Sequence, residues 1–174
     1  TPRFRFGLDL GCEWKGIDFS MFWQGVAKRD LWLDGPMFWG ISGGEWQSTG
    51  LKEHLDYYRP ENTTSVFGPN TNAYFPKMYM SKDMNQKVQT RYLQNGAYAR
   101  LKNIQLGYTF PTQIINKLHM QKLRVYVSAE NVLTITSLPS GFDPETTYSS
   151  YSDGNSGKTY PLQTTISFGL NATF

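Results

Sequence analysis

Hydrophobic and polar residues alternate with period two over five stretches of this chain, the pattern of strands with one apolar and one polar face. In the first, about residues 3–14, Phe4, Phe6, Leu8, Leu10, Cys12 and Trp14 alternate with Arg5, Gly7, Asp9, Gly11 and Glu13. In the second, about residues 16–25, Ile17, Phe19, Met21 and Trp23 alternate with Asp18, Ser20 and Gln24, while Phe22 falls on the polar side. Lys15-Gly16 between them fits a tight hairpin, because glycine takes positive φ freely. The third stretch, about residues 97–110, ends with Ile104, Leu106, Tyr108 and Phe110 on one face and Asn103, Gln105, Gly107 and Thr109 on the other. Its first half, Tyr98 to Lys102, has the opposite phase. Either a bulge near Lys102 shifts the register, or that half stands clear of the apolar environment. In the fourth, about residues 122–135, Leu123, Val125, Val127, Ala129, Leu133 and Ile135 oppose Arg124, Tyr126, Ser128, Glu130 and Thr134, with Asn131 as a polar intruder. The fifth, about residues 163–174, alternates Ile166, Phe168, Leu170, Ala172 and Phe174 with Thr165, Ser167, Gly169, Asn171 and Thr173.

Length gives these stretches a meaning. Each runs for about 9 to 14 residues, whereas strands of soluble domains have a mode of about 5 to 6. A strand of about 9 to 11 residues tilted near 45° crosses a bilayer, with its apolar face toward lipid and its polar face toward a lumen. The connections alternate too. Lys15-Gly16 is short, residues 26–95 are long, Pro111 to Lys122 is short and residues 136–162 are long. Outer-membrane barrels join their strands by short periplasmic turns and long extracellular loops. Both long connections are therefore expected outside the cell. Pro111 to Gln121 is expected to form one or two helical turns through Ile114, Ile115, Leu118 and Met120, capping the periplasmic rim with His119 as part of the cap.

The first long loop is too aromatic for a disordered linker. It holds Trp32, Phe38, Trp39, Trp46, Tyr57, Tyr58, Phe67, Tyr74, Phe75 and Tyr79, with turn signals at Asp34-Gly35-Pro36 and Gly68-Pro69-Asn70. Leu51 to Tyr58 suits a short helix. A connection of this length is either functional or carries its own small structure. The rings therefore divide between packing on one another and meeting a ligand or partner, with Trp39, Trp46, Tyr57 and Tyr58 the candidates for contact. In the second loop, Gly141-Phe142-Asp143-Pro144-Glu145 reads as a turn, its two carboxylates serving as turn formers rather than as an acid and a base.

Composition narrows the chemistry. The 174 residues are 39% hydrophobic and 16% aromatic, and charge interrupts every apolar run, so no helix of about 18 apolar residues crosses a membrane. One cysteine, Cys12, excludes a disulfide framework or thiolate cage, and His54 and His119 stand apart with no HExxH, so neither metal nor cofactor is expected. A net charge of +3 without basic runs argues against nucleic acid as a partner. Gly40-Ile41-Ser42-Gly43-Gly44 lacks the Lys-Ser/Thr of a P-loop, and no GxSxG is present, so an enzyme is not expected. Thr1-Pro2-Arg3-Phe4 begins directly in patterned sequence, as in a piece cut from something longer, and the run closing on Phe174 is expected to be the natural C-terminus.

Several stretches together resemble the SusC/RagA-like TonB-dependent outer-membrane transporters. They are Gly96-Ala97-Tyr98-Ala99-Arg100-Leu101-Lys102-Asn103-Ile104-Gln105-Leu106-Gly107-Tyr108-Thr109-Phe110-Pro111, Leu123 to Thr134, Gly141 to Glu145, and Tyr160-Pro161-Leu162 leading into Ile166 to Phe174. With the hairpin around Trp14-Lys15-Gly16-Ile17-Asp18-Phe19 they cover nearly the whole chain; only about Leu31 to Gln47 carries no such pattern. The resemblance implies an all-β fold: the C-terminal five antiparallel strands of a transmembrane barrel of about 22 strands, with long extracellular loops. It further implies a plug and a TonB-contacting segment outside this sequence, a SusD-like lipoprotein lid, import of oligosaccharides or peptides, and a multi-pass place in the Gram-negative outer membrane. A terminal aromatic such as Phe174 resembles the signal read by the barrel-assembly machinery.

On this reading Phe4, Leu8, Ile17, Phe19, Val125, Val127, Phe168 and Leu170 face lipid, while Asp9, Asp18, Arg124, Glu130 and Asn171 face the lumen. The rival is a soluble β-rich carbohydrate-binding module in which the aromatics form the sugar platform.

Overall fold

The computed structural model describes residues 3–40, 50–78, 84–147, 157 and 159–174. In chain order its strands and α-helical turns are β1 (Arg5–Trp14), β2 (Ile17–Val26), β3 (Asp30–Trp32), α1 (Pro36–Trp39), β4 (Leu93–Asn95), β5 (Tyr98–Thr109), α2 (Thr112–Ile115), β6 (Lys122–Thr136) and β7 (Thr165–Thr173). The main element is a five-stranded antiparallel sheet in the spatial order β1-β2-β5-β6-β7, and the short strands β3 and β4 pair separately. The chain divides into two compact units, the sheet (1–30, 95–138, 162–174) and a loop unit (31–94, 139–161).

In the sheet, Lys15 and Gly16 both take positive φ, 47° and 83°, which is the type I′ geometry whose twist suits a two-residue hairpin. A Cβ on Gly16 would lie against the Thr109 carbonyl oxygen, and the Thr109 N–H donates to the Gly16 carbonyl at 2.7 Å. Between β5 and β6, α2 runs into a 3₁₀ turn at Asn116–Leu118. Ile115 is buried there, and His119 closes the turn in the left-handed conformation.

The register decides which residues share a face. Leu8 pairs with Trp23, Leu10 with Met21, Met21 with Ile104, Ile104 with Ala129 and Ala129 with Ile166. The apolar set thus continues across all five strands without a break. The phase reversal in the third stretch is a bulge: Phe22 opposes Asn103 while the next residue, Trp23, opposes Leu101, so Lys102 is the extra residue. One extra residue flips every side chain beyond it, and this returns Leu101 and Ala99 to the apolar face. On β6 the step from Glu130 to Leu133 lies opposite the step from Asn103 to Leu101, so Asn131 and Val132 are accommodated there. Asn131 takes the unusual φ of 52°. Because the inserted pair is even in number, the alternation of β6 keeps its phase.

The apolar face is open. Phe6, Leu8, Leu10, Trp14, Ile17, Leu106, Val125, Leu133, Ile135, Ile166 and Leu170 are all exposed, and Phe168 reaches 85%. Five strands about 4.8 Å apart and about 33 Å long make a face of roughly 800 Å², above the roughly 300–600 Å² of the largest patch on a typical soluble monomer.

Candidate functional site

On the polar face, Asp9, Asp18, Arg124, Glu130 and Asn171 all lie on the same side of the sheet, by register with Phe22, Gly107, Thr109, Asn103 and Arg124 respectively. Only two of them are brought into direct contact. Arg124 donates from Nε to Asp18 Oδ2 at 2.8 Å and from Nη2 to Oδ1. The two residues stand on β6 and β2, with β5 between them, and the intervening position is Gly107. A Cβ there would collide with both Asp18 carboxylate oxygens and with Arg124 Nη2. The guanidinium also lies 4.8 Å from the centre of the Tyr126 ring, and that ring in turn covers Gly169, where a Cβ would strike it. The same device accounts for Phe22 on the polar side: its ring lies over Gly7, 3.3 Å from where a Cβ would stand. Glycines at these positions let large side chains lie flat across the sheet.

Beyond β2, burial pulls the Arg29 guanidinium below its ordinary pKa, and the group lies 5.8 Å from the Tyr98 ring.

The loop unit has its own aromatic core. Phe38, Trp39, Phe75, Tyr92 and Phe142 are buried, and edge-to-face contacts connect them: Phe38 to Trp39 at 4.9 Å, Phe38 to Phe75 at 5.6 Å, Trp39 to Tyr92 at 4.9 Å and Phe38 to Phe142 at 6.5 Å. His54, 3% exposed, fastens this core. Its Nδ1 accepts from the Leu51 N–H at 2.9 Å, so Nε2 carries the proton and donates to the Phe38 carbonyl at 3.0 Å. Leu51 precedes the 3₁₀ helix Lys52–Leu55, the short helix expected in this region. Asp56 accepts from Asn70 Nδ2 at 2.8 Å and from the Tyr74 N–H at 3.2 Å, and Arg59 donates to the carbonyls of Gly68 and Leu55. Asp143 Oδ1 accepts from the Glu145 N–H at 2.8 Å and its carbonyl from the Thr147 N–H at 2.9 Å, so these acids build a turn.

The four contact candidates fare differently. Trp39, expected as an exposed ring, is 2% exposed and sits in the centre of the aromatic core, because a loop of this length needs large rings to bury if it is to hold a fold. Tyr57 stacks beside Arg59, 4.7 Å from its guanidinium, and bridges to Phe75. Tyr58 is exposed. Trp46 lies outside the described residues. A cleft of about 450 Å³ opens beside Tyr58, with Arg91, Asn85 and Thr71 on its lining and Phe75 and Tyr92 beneath. No alternating pattern or motif in the sequence marks those polar residues. Among the described residues no group of three or more His, Cys, Asp or Glu side chains is placed to hold a metal.

No protein-family model matches the chain. Two curated proteins of Formosa agariphila are similar over its length: TonB-dependent receptor P3, 28% identical across 100% of this chain and 16% of the relative, and TonB-dependent receptor P26, 25% identical across 99% and 17%. The chain also superposes on the solved RagAB peptide transporter with a TM-score of 0.69 and 27% identity, covering 97% of this chain and 17% of that one. The chain resembles SusC/RagA-like TonB-dependent receptors.

A second RagAB structure, the peptide importer in its closed-closed state, gives a TM-score of 0.67 at 25% identity, covering 100% of this chain and 17% of that one. The chain therefore spans about one sixth of the length of the TonB-dependent receptors it matches. The stretches that carry the SusC-like resemblance fall on β5, β6, β7 and the turn at Gly141–Glu145. Its relatives are named as receptors and a transporter, and the pairing of Asp18 with Arg124 is a brace across the sheet.

Proposed function

We propose that this chain is part of the wall and outer loops of an outer-membrane active transporter, the C-terminal portion of a barrel of about 22 strands. The observation that carries the reading is the five-stranded sheet with one continuous apolar face. Its β1 and β2 have 10 residues each, β5 12, β6 15 and β7 9. A strand of 10 residues, about 33 Å long and tilted about 40°, spans the roughly 25 Å apolar band of such a barrel. Lipid is the solvent that makes an open apolar face of this size stable, and a lumen accommodates the polar face with Asp9, Asp18, Arg124, Glu130 and Asn171. Among the described residues β1 and β7 each leave one edge unpaired, and an exposed edge of this length invites further pairing; neighbouring strands of the same barrel supply it.

In this arrangement the Lys15-Gly16 hairpin and the cap at Pro111–Gln121 lie at the periplasmic rim, and the two long connections, about residues 26–95 and 136–162, run outside the cell. There they contribute to capture of an oligosaccharide or peptide and to contact with a SusD-like lipoprotein lid. TonB delivers the energy through a plug region outside this sequence.

The test uses the whole transporter in its own cells. Fractionation should place it in the outer membrane, and deletion of the gene should abolish uptake of its oligosaccharide or peptide cargo, as should loss of TonB. Recovery as a detergent-free soluble protein would sink the reading in favour of a soluble carbohydrate-binding module.

A further inference from the structure

The cleft beside Tyr58 in the loop unit holds polar groups that the fold does not use. Arg91 spends Nη2 on the carbonyls of Ala73 at 2.7 Å and Tyr74 at 3.4 Å, which fixes the guanidinium, with its centre 5.8 Å from the Tyr92 ring. Its Nε and Nη1 make no hydrogen bond among the described residues, and neither do the Tyr58 hydroxyl, the Thr71 hydroxyl or the Asn85 side-chain amide. None of the described lining residues is acidic. A volume of about 450 Å³ falls inside the roughly 300–1,000 Å³ of small-molecule pockets.

We infer that this cleft is a binding subsite for a negatively charged oligosaccharide, with Arg91 meeting its carboxylate or sulfate. The inference rests on the transport reading above for its biological setting, but not for its chemistry. Donors outnumber acceptors on the lining, which selects an oxyanion. Rings lie beneath and beside them, and a sugar presents apolar C–H faces to a ring. A peptide that binds by strand addition is held through its main chain, and here part of the backbone is already engaged. The Phe75 N–H donates to the Asp56 carbonyl, the Phe75 carbonyl accepts from the Tyr58 N–H, and the carbonyls of Ala73 and Tyr74 accept from Arg91. Those groups of Ala73, Tyr74 and Phe75 are not available to pair with a peptide strand.

The test measures binding to the purified whole transporter by calorimetry. The probes are tetragalacturonate, a sulfated carrageenan tetraose, neutral maltotetraose and tetraglutamate. One of the two anionic sugars should bind at least tenfold more tightly than maltotetraose and than tetraglutamate, and which of them does so identifies carboxylate or sulfate. Arg91→Gln should weaken that binding tenfold or more. Asn85→Ala, whose amide holds nothing in the fold, should weaken it severalfold without changing the melting temperature, and Lys52→Gln outside the cleft should leave it unchanged. Equal binding of the neutral sugar, preference for tetraglutamate, no binding of either anionic sugar, or unaltered affinity in both cleft variants overturns the inference. TonB-dependent uptake is scored separately. Uptake of a neutral or peptide cargo without anionic binding leaves transport standing and removes the subsite, whereas anionic binding without any uptake does the reverse.

Discussion

Arg124 reaches Asp18 across an intervening strand because the residue between them is Gly107. The pair is partly accessible, with side chains 16% and 29% exposed, so its worth lies near the roughly 0–1 kcal/mol of accessible ion pairs. Asp18→Asn should therefore cost about 1 kcal/mol or less. Gly107→Val should cost more, about 1–3 kcal/mol, because the new side chain displaces both partners and crowds the sheet. Heat-modifiable mobility of the whole barrel in detergent compares the two, and equal effects would show that the glycine is not what permits the contact.

Deleting Lys102 removes the bulge and sends Tyr98 to Leu101 to the wrong faces. The deletion should prevent accumulation of the protein in the outer membrane. Lys102→Ala keeps the extra residue and should cost about 1 kcal/mol while leaving assembly intact. Protease resistance of the membrane-inserted protein reports both, and normal assembly of the deletion would remove the register argument.

Trp39→Ala opens a cavity in the aromatic core of the loop unit, at a cost of about 3–5 kcal/mol to that unit. Limited proteolysis should then cut within residues 31–94 while the five strands stay protected. His54→Leu keeps the volume but loses both ring hydrogen bonds, leaving the Phe38 carbonyl without its donor, and should cost about 1–3 kcal/mol. Intact loops in both variants would contradict the packing described for Trp39 and His54.

Much of the sheet is legible in the sequence because a strand face is a period-two property, and Leu8, Met21, Ile104, Ala129 and Ile166 announce it one strand at a time. The reversal near Lys102 is legible as a change of phase for the same reason, but only the pairing of Trp23 with Leu101 makes it a bulge rather than a half-strand standing clear of the apolar environment. What sequence leaves open is everything that depends on pairing between strands: that Gly107 lies between Asp18 and Arg124, that Tyr126 covers Gly169, and that Asn131 enters with Val132 as an even insertion. The loop unit is harder still. Its rings come without period, so whether Trp39 is core or contact depends on neighbours as distant in the chain as Tyr92, and Arg91, Asn85 and Thr71 meet Tyr58 only through the fold.

Spin-label accessibility decides whether the apolar face of the sheet meets lipid and the polar face a lumen. The whole protein is reconstituted in phospholipid vesicles, with Cys12 and any other native cysteine replaced by serine and single cysteines placed from Thr165 to Thr173 except at Gly169. Collisions with oxygen should peak at Ile166, Phe168 and Leu170, and collisions with a water-soluble nickel chelate at Thr165, Ser167 and Asn171, in strict alternation, with Gly169 left unlabelled because the Tyr126 ring covers it. Loss of that alternation, or its inversion with the nickel chelate reaching Phe168 and Leu170, would contradict the placement of this sheet in a barrel wall.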